Sequence, residues 1–206
     1  MQFKALDLDY LSKLKGYKYR QLIRASDQIP SYSGIYIWRY WPELKSLKVD
    51  EFFKYIDELN ENFPIYEETL ENSRASIKVY KKAFGIQKSG KIFGISEDNK
   101  KIKALIEQVK ADEDSRKKLA DVIQCLIATA PPIYIGKADN IKKRLQDHFN
   151  KDTGFSKRLE HSSIPKGDIY ISFIKDPNET INPSFTTGIE EILQRITNPP
   201  LTKRYG

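Results

Sequence analysis

Tyr36 and Tyr134 supply phenols, Lys137 and Arg144 cations, His148 an imidazole, and the adjacent Glu190 and Glu191 a carboxylate. Together these side chains suit the hydrolysis of a phosphodiester. A carboxylate holds a hard divalent cation such as Mg2+ or Mn2+, which keeps several waters and takes a phosphate oxygen. Arginine matches phosphate geometry in a fork and stabilises the negative charge that grows in the transition state. A phenol titrates near ~10 and is a poor base unless a metal-bound water, Lys137 or Arg144 favours its phenolate. Each type also has an ordinary use: tyrosines pack on sheets, and a solvated helix face carries Arg and His. Glu191 precedes Arg195 by four residues, as in a surface ion pair, whereas Glu190 shares its helix side with Leu193. Glu190 is therefore the favoured ligand.

The elements that position these groups follow from the apolar pattern. Ile35, Tyr36, Ile37 and Trp38 behind Ser33-Gly34 predict a strand, and Ile133-Tyr134-Ile135 predicts another that ends at Gly136. The segment Asn140 to Phe149 predicts a helix with Ile141, Leu145, His148 and Phe149 on one side; Arg144 and His148 are four apart and share a face. Residues 168–174 alternate as a strand, and 188–197 predict a helix stopped by Asn198-Pro199-Pro200. Between the first two strands lie four helical stripes. They are Val49, Phe52, Phe53, Ile56 and Leu59 before Pro64; Leu70, Ile77, Tyr80 and Phe84 before Gly85; Ile102, Leu105, Ile106 and Val109; and Leu119, Val122, Ile123, Leu126 and Ile127. Gly85, Gly90 and Gly94 suggest a hairpin between Phe84 and Ile95.

Composition bounds the partners. The 206 residues suffice for one domain or a small domain with a large insertion, and 39% apolar with 31% charged residues suit a folded, soluble chain. The formal charge of +7 is uneven: residues 1–40 carry +4, residues 41–132 none, and residues 133–206 +3. The ends should therefore face a polyanion, nucleic acid first. Lys13 to Arg20 interleaves basic and aromatic residues, which makes Lys15, Lys18 and Arg20 candidate phosphate contacts, with Lys142 and Lys143 beside Arg144. The single cysteine, Cys125, excludes an internal disulfide and a zinc cluster, and its apolar neighbours make it a packed thiol. No apolar stretch approaches the ~20 residues of a membrane span. The start Met-Gln-Phe-Lys-Ala-Leu-Asp lacks the apolar core of a signal peptide, so an intracellular, cytoplasmic protein without a membrane partner is expected.

Gly34-Ile35-Tyr36 followed by Tyr134-Ile135-Gly136 resembles the two halves of the GIY-YIG nuclease signature. Arg144 falls eight residues and His148 twelve residues after Gly136, offsets that the family shares. Glu190 lies nine residues before Pro199, as does the family's metal-binding glutamate before its Pro-x-x-Asn ending. The resemblance covers about residues 33–40 and 133–202. Two departures stand out: 97 residues separate the motif halves where the family has a short connection, and Thr202 replaces the usual asparagine. A hydroxyl there could partly replace the amide's hydrogen bond.

The resemblance implies an α+β core, a small, mainly antiparallel sheet flanked by helices, with a helical insertion between the first two core strands. Residues 1–40 would form an N-terminal helical arm and first core strand, 41–132 the insertion, and 133–206 the rest of the core. It implies paired active-site tyrosines at Tyr36 and Tyr134, with Tyr36 the first choice to take a proton from water. Lys137 would activate the nucleophile or contact phosphate, Arg144 would hold the scissile phosphate, His148 would support the phosphate or leaving group, and Glu190 would bind the metal. The expected activity is that of a Mg2+- or Mn2+-dependent DNA endonuclease, stand-alone and restriction-endonuclease-like. The alternative is a nucleic-acid-binding or protein-interaction module on the same fold that no longer cuts. A homodimer is compatible with the sequence, which does not set the oligomeric state.

Overall fold

The central β-strand is built from Gly34–Tyr40, a run of β-branched and aromatic residues behind a glycine. In the computed structural model, which describes residues 16–62, 65–72, 75–82, 100–151, 153–162, 164–176, 183–197 and 199–202, it lies inside a four-stranded sheet. In chain order the elements are β1 (Tyr17–Lys18), α1 (Tyr19–Arg24), β2 (Gly34–Tyr40), α2 (Val49–Asn62), β3 (Ile65–Asn72), β4 (Ala75–Lys82), α3 (Lys100–Ala111) and α4 (Glu113–Thr129). They continue with β5 (Tyr134–Ala138), α5 (Ile141–Phe149), α6 (Gly154–His161), β6 (Ile169–Lys175) and α7 (Pro183–Thr197). The sheet order is β1-β6-β2-β5, and every pairing is antiparallel. This is the expected small antiparallel sheet flanked by helices, with an insertion rich in helix between β2 and β5. Lys137 lies within β5 rather than after it.

Alternation along the strands divides the core. Tyr36, Trp38 and Tyr40 of β2 share one face with Ile169 and Ile171 of β6, packed under Leu22, Ile141, Leu145, Phe155 and Leu159. Ile35, Ile37 and Ile135 face the other way, against Ile189 and Leu193 of α7. Tyr170 of β6 faces the opposite way from Ile169 and Ile171, toward Trp41 and the insertion. Side-chain caps start three helices: Asp112 accepts from Ser115 N at 2.9 Å, Asn140 from Lys143 N at 2.9 Å, and Thr153 from Ser156 N at 3.2 Å.

The insertion departs from the predicted stripes at one place. Leu70, Ile77 and Tyr80 are not on a helix: β3 and β4 form an antiparallel hairpin in which Asn72 pairs with Ala75. The signal was present in Asn72-Ser73, a turn pair, and in Ile77 and Val79, β-branched residues two apart. The hairpin expected between Phe84 and Ile95 lies outside the described residues. The other three stripes are α2, α3 and α4. On α4, Ile123 and Ile127 face Phe52, Tyr55, Ile56 and Val109 with Cys125 packed alongside, while Val122 and Leu126 are exposed.

Candidate active site

Register brings the two motif halves together. Tyr36 pairs with Gly136 and Trp38 with Tyr134 across β2 and β5. The Tyr36 ring lies over Gly136, and a Cβ at that glycine would fall 2.5 Å from the Tyr36 hydroxyl. The missing side chain is what lets a phenol from β2 cross β5 toward its outer edge. The ring centroids of Tyr36 and Tyr134 are 6.1 Å apart, and the two hydroxyls and the Arg144 guanidinium interact.

His148 stands behind the phenols. Its Nε2 is 2.9 Å from the Tyr36 hydroxyl and its Nδ1 is 2.6 Å from the Thr153 hydroxyl. At 3% exposure it cannot reach a bound phosphate, so the role expected for it against the phosphate or leaving group has no access here. Burial, with Arg144 and Arg158 nearby, lowers its pKa to about 3, and the ring is neutral at physiological pH. Burial first, and the neighbouring Tyr134 second, push the Tyr36 phenol well above its usual value, against a counter-pull from Arg144. Tyr134 is also raised by burial, against a counter-pull from the Arg144 charge. Tyr36 is wholly buried whereas Tyr134 is only partly so. Of the two tyrosines, Tyr134 is therefore the one with surface open to solvent.

The outer edge of β5 is closed by α7. Gln194 Nε2 donates to Ile135 O at 3.1 Å and to Glu190 Oε1 at 3.0 Å, and the Glu190 carboxylate accepts the Lys137 backbone N–H. Burial raises the Glu190 pKa, offset by the Lys137 and Arg144 charges. Lys137 Nζ donates to Thr187 Oγ1, one turn of α7 before Glu190. Glu191 makes the expected exposed pair with Arg195. The favoured glutamate thus faces the strand and its neighbour faces water.

Arg144 is exposed beside Tyr36, Tyr134 and Glu190, on the solvent side of α5 with Lys143. Lys142 is partly exposed on the same helix. Lys15 lies outside the described residues. Lys18 is held by Glu43 at 2.6 Å, and Arg20 is exposed. Thr202 N bonds Pro199 O, but its buried hydroxyl has no hydrogen-bond partner among the described residues, so it does not replace an amide's bond. Sequence reasoning missed Thr153, Ser156, Arg158 and Gln194. Only the Thr153 cap had a local signal, a threonine opening a short amphipathic helix with Phe155 and Leu159 four apart.

Glu190 is the carboxylate available for a cation at this edge. No group of three or more His, Cys, Asp or Glu side chains that could hold a metal occurs among the described residues. The donor set fits a cation that keeps most of its waters and is completed by a phosphate oxygen, as Mg2+ does. Among the described residues no helix is long and apolar enough to cross a membrane. Fold and site define an α+β protein with a tyrosine, arginine and glutamate cluster at a sheet edge. No family model, curated protein or solved structure matches the chain.

Proposed function

We propose that the protein is a divalent-metal-dependent DNA endonuclease, stand-alone and restriction-endonuclease-like, that hydrolyses phosphodiester bonds at the outer edge of β5. The observation that supports this is the meeting, at one edge, of Tyr36 from β2, Tyr134, Lys137 and Arg144 from the β5–α5 stretch, and Glu190 from α7, three stretches far apart in sequence. Arg144 receives the scissile phosphate and holds it in line with an attacking water. The Lys137 and Arg144 charges counter part of the burial that raises the Glu190 carboxyl. Mg2+ or Mn2+ bound at Glu190 would supply charge neutralisation on the phosphate and leaving oxygens.

Proton movement falls to the phenols. Tyr134 accepts the proton of the attacking water as its own passes to Tyr36, whose proton passes in turn to His148 Nε2. Neither tyrosine has to ionise beforehand. Burial depresses His148 most, and Arg144 and Arg158 add to it; phosphate bound at Arg144 offsets one of these two cations and so makes the imidazole a better acceptor.

The test is cleavage of supercoiled plasmid in Mg2+ or Mn2+ by wild type, Glu190→Gln and Glu190→Ala. The amide retains an acceptor for the Lys137 N–H and loses the charge, so Glu190→Gln should fold like wild type and not cut. Glu190→Ala should in addition loosen the β5 edge. Equal cleavage by wild type and Glu190→Gln would end the metal assignment. Wild type that binds DNA but cuts no substrate in either metal would favour the binding-module alternative.

A further inference from the structure

Thr153 and Ser156 take no part in the chemistry above, yet their hydroxyls are buried against His148. Thr153 Oγ1 lies 2.6 Å from His148 Nδ1 and 2.7 Å from Ser156 Oγ, and Ser156 Oγ donates to His148 O at 2.7 Å. Proton positions follow by elimination. The His148 carbonyl can only accept, so the one hydroxyl hydrogen of Ser156 points there. Ser156 Oγ must then accept from Thr153, which uses the one hydroxyl hydrogen of Thr153. Thr153 Oγ1 can therefore only accept from the imidazole, and Nδ1 carries the proton. Nε2 is left bare, and the contact at 2.9 Å is the Tyr36 hydroxyl donating to it.

We infer that Thr153 and Ser156 are positioning residues that lock His148 in its Nδ1–H tautomer and so aim the Nε2 lone pair at the Tyr36 hydroxyl. The other tautomer would point an N–H at Tyr36 and leave that phenol's proton no place on the ring. The ring plane is set independently: Trp38 and Phe155 meet it edge-on at centroid distances of 6.0 and 5.0 Å. Thr153 is itself fixed as the N-cap of α6, accepting from Ser156 N. The charged groups that face His148 are Arg144 and Arg158, and both favour the neutral ring in which a tautomer is defined. The lock's effect on cleavage rests on the nuclease reading; the tautomer itself does not.

The experiment is 15N NMR of histidine side chains at pH 7. The chain has two histidines, and His161→Gln leaves His148 as the only signal. Wild type should show Nδ1–H alone. Thr153→Ala removes the acceptor, and Ser156→Ala frees the Thr153 hydrogen to turn toward Nδ1; both should populate Nε2–H, and Thr153→Ser should restore Nδ1–H. Cleavage should fall on the order of 10–100-fold in Thr153→Ala, as when other histidines lose an orienting partner, and recover in Thr153→Ser. Ser156→Ala keeps the α6 cap, which uses only the Ser156 backbone N–H, and decides the matter if Thr153→Ala does not fold. Nε2–H in wild type, or unchanged Nδ1–H in every folded variant, would overturn the lock. A tautomer that shifts as expected in a protein that cuts no DNA would uphold the lock and reject the nuclease reading.

Discussion

Replacing Gly136 with alanine probes the crossing of Tyr36 over β5, on which the whole site depends. The added Cβ falls 2.5 Å from the Tyr36 hydroxyl oxygen, 2.6 Å from its Cζ and 2.9 Å from Tyr134 Cε1. Van der Waals contact needs about 3.5 Å, so the phenol has to retreat by roughly 1 Å. Tyr36 is wholly buried and packed within the first core, and its retreat breaks the 2.9 Å bond to His148. Overpacking costs about 1–3 kcal/mol and a lost buried hydrogen bond about 1 kcal/mol more. A total of about 2–4 kcal/mol should appear as a lower urea midpoint with unchanged slope. A displacement of ~1 Å in a reacting group costs on the order of 10²-fold in rate, which plasmid cleavage measures under conditions where the variant is folded. Tyr36→Phe relieves only the 2.5 Å contact and leaves the one at 2.6 Å. The double variant should therefore recover part of the loss, with a coupling of about 0.5–1 kcal/mol. A midpoint and a cleavage rate both close to wild type in Gly136→Ala would refute the crossing.

Acid should destabilise the fold through His148. The native ring resists protonation down to about 3, whereas the unfolded ring titrates near 6.5. The unfolded chain therefore takes the proton first; this stability is complete above pH 6.5 and is lost as pH falls toward 3. About 3 kcal/mol should be gone by pH 4.5, and His148→Gln should flatten that part of the urea-midpoint profile. Identical profiles would contradict a buried neutral imidazole. Arg116 is 7% exposed and donates to Leu47 O in the loop before α2 and to Val109 O and Lys110 O at the end of α3. Arg116→Met should cost about 3 kcal/mol in thermal or urea unfolding, and a loss under about 1 kcal/mol would speak against this capping. Lys142→Ala and Lys143→Ala should each reduce the slope of log affinity for duplex DNA against log salt by about 1, while Lys18→Ala, whose charge Glu43 already holds, should leave it unchanged. Equal slopes in all three would remove α5 from the DNA-facing surface.

Strands β2 and β5 and helices α5 and α7 were legible because each carries one periodicity, whereas the two-residue β1 and the short α6 carry none that stands out. Ile35 and Ile37 alternate with Tyr36 and Trp38, and Ile141, Leu145 and His148 recur at helical spacing. The same two rules place Arg144 and His148 together on α5 and separate Glu190 from Glu191 on α7. What periodicity does not carry is depth. Arg144 and His148 are four apart on one helix, yet one meets solvent and the other is sealed under Trp38 and Phe155, because α6 folds back over only one of them. The same holds for the two tyrosines: strand register puts both on one face, and the packing of α5 and α6 decides that Tyr36 is the more deeply covered. The β3–β4 hairpin is not legible from the stripe, because Leu70, Ile77, Tyr80 and Phe84 also fit a helical count.

The register also explains how the candidate site tolerates 97 residues between Tyr36 and Tyr134. β2 and β5 stay paired through Trp38 and Tyr134, and Ile133 N still bonds Trp38 O at 2.8 Å. The insertion therefore leaves and re-enters at the same end of one ladder, whatever its length, and loop-closure entropy grows only slowly with that length. Gly136, Lys137 and the α7 contacts lie toward the opposite end, where Gly34 pairs with Ala138. The insertion's helices instead cover Trp41 and Tyr170, which are 3% and 4% exposed. Shortening the insertion would thus act on the site through stability, by uncovering two large aromatic side chains, and not by opening the ladder that holds Tyr36 against Tyr134. Trp41 and Tyr170 couple the insertion to the core, and every group assigned to the phosphate belongs to β2, β5, α5 or α7.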